Sequence, residues 1–248
     1  MTRMPLSVQL YTLRDDLAAD PDATLGKVAA IGLTAVEPFG LAESVELLAG
    51  PLARHGLSAP TAHAGLVDGD LDAVLTAADR LGTRLVIEPF IPVEEWTSRD
   101  DIARLADRLN AVAARFAPHG IEVGYHNHAW ELEHRLDGQP VLLTLAEHLD
   151  DAVRIELDTY WAAVGGSDPV ALLEQLGARV AAIHVKDGPI SHDTHAQLPA
   201  GEGAMPLAAV LGAAPEARRI LEFDEYAGDL YQGLALGKAN LERIEGAA

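Results

Sequence analysis

VRIELDTYWAAVGGSDPVALLEQLGARVAAIHVKD, residues 153–187, holds one strand, one helix start and a second strand in order. Val153–Asp158 places Glu156 and Asp158 on one face and Ile155 and Leu157 on the other, the period-two pattern of a strand. Asp168-Pro169 supplies a capping aspartate followed by a proline suited to the first helical turn. Val180–Val185 is again short and mostly apolar; it carries His184 near its end and runs straight into Lys186 and Asp187. Strand, helix, strand in that order predicts two parallel strands joined by a crossover.

The same unit recurs on both sides. Expected strands are Leu6–Leu10, Thr34–Glu37, Leu57–Ala62, Arg84–Ile87, Ile121–Tyr125, Val153–Asp158, Val180–Val185 and Arg219–Phe223. Expected helices are Asp20–Ile31, Leu41–His55, Leu71–Leu81, Ser98–Phe116 with a Ser98/Asp101 capping box, a stretch within Val141–Leu149, one from Asp168, Pro206–Leu211, and a closing helix. Eight β/α units in 248 residues with no linker fit one α/β domain over 1–248, a (β/α)8 TIM barrel. An open doubly wound sheet is the competing arrangement.

Composition narrows the function. With 38 acidic against 18 basic residues the formal charge is −20, which repels phosphate backbones and anionic lipid and so predicts no nucleic-acid and no membrane partner. It argues more weakly against highly phosphorylated substrates. The absence of cysteine excludes disulfides, thiol nucleophiles and thiolate ligands, so any metal site is nitrogen/oxygen-ligated. Met1–Tyr11 has no apolar signal core, and no apolar run reaches membrane-helix length, which gives a cytoplasmic expectation. With 49% hydrophobic residues the chain can bury a substantial core.

A barrel gathers the carboxyl ends of its strands at one mouth. The last four strands stop at His126, Asp158, His184 and Glu222, two imidazoles and two carboxylates that together suit a divalent metal with open positions for substrate. Taken singly, each has a plain reading: Asp158 as a turn cap, His126 as a half-buried imidazole. Their occurrence at four successive strand ends favours a shared site. His128, Lys186 and Asp224 share faces with His126, His184 and Glu222. Glu37, His63, Glu88 and Glu131 could also line the mouth, while Glu156 reads as an internal ion-pair partner. Trp130 and Trp161 could stack on a sugar ring or simply pack. The Asp187–Gly203 loop, with His192, Asp193 and His195, reads as a solvated lid. Neither a dinucleotide fingerprint nor a Walker lysine motif is present.

At Val8-Gln9-Leu10-Tyr11, Tyr125-His126-Asn127-His128…Glu131, Leu157-Asp158-Thr159-Tyr160-Trp161, Ile183-His184-Val185-Lys186-Asp187, Gly201-Glu202-Gly203 and Leu221-Glu222, the chain resembles the xylose isomerase-like barrel superfamily. This group is also called sugar phosphate isomerase/epimerase. The resemblance spans nearly the whole chain, and the superfamily holds isomerases, epimerases, dehydratases, lyases and a DNA-repair endonuclease branch. In its ketose 3-epimerases the metal is held by Glu, Asp, His and Glu from strands five to eight; the last three are similar to Asp158, His184 and Glu222, and His126 stands at the first position. Relatives with the Tyr-His-Asn-His segment include enzymes of 3-keto sugars and glycosides.

The resemblance implies a metal-dependent sugar isomerase or epimerase acting through an enediolate. Glu222 is the expected base, with His126 or His63 returning the proton and Lys186 bonding the developing oxyanion. Glu131, His128, Trp161 and Glu88 are the expected substrate contacts. Manganese is the first expectation for the metal, with Mg, Co, Zn, Fe or Ni also compatible. A metal-dependent lyase or hydratase on 3-keto sugars or glycosides, and a non-catalytic sugar-binding barrel, are the alternatives. The expected partner is a small carbohydrate, and pairing into a homo-oligomer is common for such barrels.

Overall fold

The structure, a computed structural model, describes residues 5–246; positions 1–4 and 247–248 of the expected 1–248 domain lie outside them. Eight short strands, β1 Ser7–Gln9, β2 Ala35–Glu37, β3 Thr61–His63, β4 Leu85–Glu88, β5 Glu122–His126, β6 Val153–Asp158, β7 Val180–Val185 and β8 Arg218–Leu221, pair in parallel. Their order around the sheet is 2-1-8-7-6-5-4-3. The remaining gap between β2 and β3 is crossed by a bridge from Ala35 to Ser58 and by His63 N donating to Pro38 O at 2.8 Å. The sheet is therefore a nearly closed (β/α)8 barrel, as expected, and not an open sheet.

The helices form where their signals stand. Asp20 caps Pro21–Ala30 through Ala23 N, and Asp168 caps Pro169–Leu176 through Val170 N and Ala171 N. Gly56 and Gly82 end Leu41–His55 and Leu71–Leu81 in the left-handed conformation, at φ of 66° and 72°. In Arg99–Phe116, Ile102, Leu105, Leu109, Val112 and Phe116 form one buried stripe against the barrel. Truncating one, Leu109→Ala, would cost about 2–5 kcal/mol.

Several elements differ from expectation, including short helices at Arg14–Ala19, Trp130–Glu133 and Thr159–Val164 that the sequence reading does not list. β3 starts at Thr61 rather than Leu57 because Pro60 has no N–H to place in a ladder. β8 ends at Leu221, where Phe223 N turns to Thr12 Oγ1 instead of a neighbouring strand. A small hairpin, Arg135–Leu136 against Gln139–Pro140, was not anticipated; its Asp137-Gly138 tip has φ of 53° and 85°, as the hairpin turn requires. Among the described residues no helix is long and apolar enough to cross a membrane.

Candidate functional site

Alternation along the strands points Gln9, Glu37, His63, His126, Glu156 and His184 into the barrel, where they meet. Glu156 Oε2 lies 2.6 Å from His63 Nε2 and 3.1 Å from both His126 Nδ1 and His184 Nε2. Glu37 Oε1 accepts from Gln9 Nε2 at 2.9 Å and lies 2.8 Å from His184 Nε2. The other ring nitrogen of His184 faces outward along the barrel, 2.6 Å from Glu222 Oε2 and 4.0 Å from Asp158 Oδ2. His184 thus joins two clusters: His63, His126, Glu156 and His184 in one, Asp158, His184 and Glu222 in the other.

Of the four expected metal ligands, Asp158, His184 and Glu222 come together, whereas His126 falls in the other cluster and shares His184 with them. The deeper carboxylate of Glu156 is what draws its ring. Asp158 takes both of its readings at once: Oδ1 caps the next turn through Trp161 N at 2.8 Å, and Oδ2 remains toward the barrel axis. Asn127 fixes the β5 and β6 ends to each other, accepting from Asp158 N at 2.9 Å. Lys186 Nζ sits 3.0 Å from Asp158 Oδ2, 2.8 Å from Glu222 Oε2 and 2.8 Å from Asp224 Oδ2.

Burial opposes charge throughout, and neighbours decide the outcome. Burial disfavours an ionised Glu222, but Lys186 and His184 hold its pKa well below the usual carboxylate range. For Glu156 the imidazoles of His184 and His63 do the same. Burial raises Asp158 and Glu37, in the latter case with help from Glu156. His184 is raised well above an ordinary imidazole because Glu156 and Glu222 overcome burial, and His63 is raised by Glu37 and Glu156. His126 goes the other way: burial and the neighbouring His184 push it well down, so it is a neutral imidazole.

A divalent cation fits this donor set. Glu156 Oε1 and Glu37 Oε2 are buried without a hydrogen bond, and Asp158 Oδ2 meets only the Lys186 ammonium; buried oxygens of this kind are costly unless something else satisfies them. Three acidic side chains, Asp158, Glu222 and Asp224, converge on Lys186, and two more, Glu37 and Glu156, meet at His184.

Above the cluster opens a cavity of about 480 Å³, lined by His63, His126, His128, Trp161, Lys186 and Glu222 together with Tyr11, Phe39 and Phe90. Tyr11 and Phe90 are 43% and 53% exposed, so the rim presents aromatic faces to whatever enters. Tyr11 meets Phe39 edge-on at 5.5 Å, and Phe90 meets His128 edge-on at 5.7 Å. The sequence reading assigns none of these three rim residues a role, although Tyr11 and Phe39 follow strand ends and Phe90 follows Glu88-Pro89. Gln9, at the end of β1, was equally readable.

Other expected contacts are committed elsewhere. Glu88 accepts from Leu66 N at 2.6 Å and Val67 N at 2.9 Å, and it does not line the cavity. Glu131 is fully buried, accepting from Tyr125 Oη at 2.8 Å and His128 N at 2.7 Å, so it shapes the loop that carries His128. Trp130 packs on Trp96 at 5.0 Å, the packing reading, while Trp161 reaches the cavity. The Asp187–Gly203 loop is tied at its base: the Asp187 carboxylate accepts from the backbone N–H groups of Gly188, Gly201, Gly203 and Met205. His192 on that loop pairs with Glu133 rather than with Asp193 or His195.

A family model for xylose isomerase-like TIM barrels matches residues 25–218. The chain belongs to that family. No curated protein sequence matches it. Among solved structures, this xylose isomerase-like barrel is similar to a sugar phosphate isomerase/epimerase from Parabacteroides distasonis, with TM-score 0.79 at 22% identity over 97% of this chain and 94% of that one. It also resembles AsbF of Bacillus anthracis, a probable 3-DHS dehydratase involved in petrobactin synthesis, with TM-score 0.75 at 16% identity over 98% and 99% of the two chains. The IOLI protein with a bound zinc atom gives TM-score 0.74 at 16% identity over 98% and 99%. At these identities the likeness establishes the fold.

Proposed function

We propose that this barrel is a divalent-metal-dependent sugar isomerase or epimerase that handles an unphosphorylated keto- or aldo-sugar through an enediolate. The observation that carries the reading is the meeting of Asp158, His184 and Glu222 beside a buried lysine, at the floor of an aromatic-rimmed cavity. Asp158, His184 and Glu222 would hold the ion, with His126 as the expected fourth ligand. Manganese is the first candidate, with Mg, Co, Zn, Fe or Ni compatible. When bound, such an ion polarises a substrate carbonyl and makes the adjacent C–H more acidic.

The remaining chemistry belongs to the chain's own groups. Glu222, held ionised by Lys186 and His184, is in the form that accepts a proton from carbon. His63, raised by Glu37 and Glu156 and lining the same cavity, is the better placed to hold a proton and return it; the neutral His126 lies beside it at a ring separation of 5.1 Å. Lys186 donates toward oxygen charge that develops next to Glu222. The Trp161 ring offers a flat face for the apolar side of a sugar.

Lys186 is the one lysine or arginine lining the cavity among the described residues, and three carboxylates already engage it. A phosphate would find no uncommitted cation there, which supports a substrate without one. β-Elimination on a 3-keto sugar or glycoside is the second reading. It is favoured by the position of His63, which lines the cavity while Glu37 and Glu156 stand behind it to support an imidazolium that protonates a departing oxygen. A cytoplasmic setting and a small carbohydrate partner belong to the same proposal.

Ketoses, aldoses and 3-keto glycosides incubated with the enzyme in deuterated water and followed by NMR test it. Solvent deuterium at one sugar carbon is expected; loss of a substituent would select elimination. A panel without any exchange leaves the non-catalytic sugar-binding barrel. Metal analysis provides a second check, since Asp158→Ala and His184→Ala should each lose the stoichiometric ion that wild type retains.

A further inference from the structure

The opposite end of the barrel, where the strands begin, holds a second cavity of about 470 Å³. Barrels of this kind normally fill their interior with layers of bulky branched side chains. Here Ala178, Ala181, Ala213 and Ala217 leave the space open, and three arginines enter it: Arg84 just ahead of β4, Arg154 in β6 and Arg218 at the start of β8. Arg154 and Arg218 both precede inward-facing residues two and four positions along their strands, so they form the bottom layer beneath Glu156 and Glu222.

These guanidiniums stand apart from the other arginines. Arg14, Arg54, Arg80, Arg99 and Arg108 each reach a carboxylate. Among the described residues, the side chains of Arg84 and Arg218 make no direct hydrogen bond or ion pair. Arg154 Nε is buried without a hydrogen bond, its nearest carboxylate being Glu122 at 3.6 Å. Burial lowers the pKa of Arg218 from its usual value, and the charges of Glu122 and Glu37 offset that only in part. In a chain of net charge −20, three arginines gather at one open cavity, Arg84 exposed, Arg154 and Arg218 half-buried, with Glu122 the nearest carboxylate to Arg154.

We propose that this cavity is a binding site for a small molecule with a compact dianionic head, a phosphate ester or a pair of carboxylates, gripped by Arg84, Arg154 and Arg218. Guanidinium forks match both head groups in bidentate fashion. Glu122 and Glu216 line the same cavity and limit its excess to one positive charge, so they admit a compact anion and offer acceptors to hydroxyl groups beside it. The site is separate from the metal-ligating mouth and does not depend on the reaction proposed there.

Isothermal titration calorimetry on the full chain, at low and matched ionic strength, tests it with glycerol phosphate and succinate as probes. Wild type is expected to bind one equivalent of at least one probe, and the tighter probe identifies the head group. Arg218→Gln should weaken that binding roughly tenfold or more, as should Arg84→Gln, whose exposed position lets the variant fold even if Arg218→Gln does not. Glu222→Gln should leave it unchanged. Absence of saturable binding to wild type, or binding by both arginine variants as tight as wild type's, overturns the proposal. So does binding lost in Glu222→Gln alone, which would put the anion at the other mouth.

Discussion

Replacing Lys186 by methionine keeps the stem and removes the charge. The ammonium is 2% exposed and lies within 3.0 Å of oxygens from Asp158, Glu222 and Asp224. Its loss leaves three acidic side chains facing one another without their counter-charge, a class of change that costs about 3–5 kcal/mol. At roughly 2–4 °C per kcal/mol for a chain of this size, metal-free Lys186→Met should melt about 6–20 °C below wild type. Thermal unfolding followed by circular dichroism in chelator measures this, and raising the salt should not abolish the gap because the pairs are buried. Adding a divalent ion should then raise the variant's melting temperature more than wild type's, since a cation takes over the vacated charge. If metal-free Lys186→Met melts with wild type, Lys186 is not what holds these carboxylates together, and the electrostatic account of the site fails.

Stability should also depend on pH from both sides. Glu222 and Glu156, held well below the ordinary 4.5, contribute stability that is complete above that pH and is lost as pH falls through their folded values. His184, held well above 6.5, contributes stability that is complete below pH 6.5 and is lost as pH rises through its folded value. Denaturant melts of metal-free protein should therefore pass through a maximum between these limits, and a steady rise into alkaline pH would contradict the assignment. Asp187→Ala strips four backbone N–H groups of their acceptor; the expected loss exceeds about 3 kcal/mol, with new proteolytic cuts between residues 188 and 203. Gly203→Ala should behave similarly, because its Cβ would stand 2.2 Å from Asp187 Oδ1. Phe90→Ala should leave the melting temperature in place but weaken sugar binding by a few-fold, about 1 kcal/mol, if its exposed ring stacks on substrate.

The barrel was legible because each β/α unit carries its own local signals, and a cap such as Asp168 or a stop such as Gly56 works without knowledge of the rest. Pro60 could have corrected the start of β3, and Asp137-Gly138 could have announced the hairpin; both signals are local and were available. The site was legible only at its outer layer. Strand ends can be read from one strand at a time, which found Asp158, His184 and Glu222. The Glu37–His184 and His63–Glu156 contacts cross the barrel and join residues 147 and 93 positions apart, so they exist only once closure is known. Glu88 and Glu131 show the converse: their places in the sequence suit substrate contact, but backbone donors folded around them claim their oxygens first.

The seam between β2 and β3 is the thinnest part of the ring, spanned by the Ser58 bridge and one bond from His63 to Pro38. Glu37 stands on one lip and His63 on the other, and their side chains lie 3.3 Å apart while both reach across to His184 or Glu156. The polar interior therefore acts as a clasp, drawing the two lips together where the backbone ladder is sparse. A substitution meant to silence catalysis at Glu37 or His63 would also loosen the fastening, so lost turnover in such variants needs to be separated from a barrel that has begun to open.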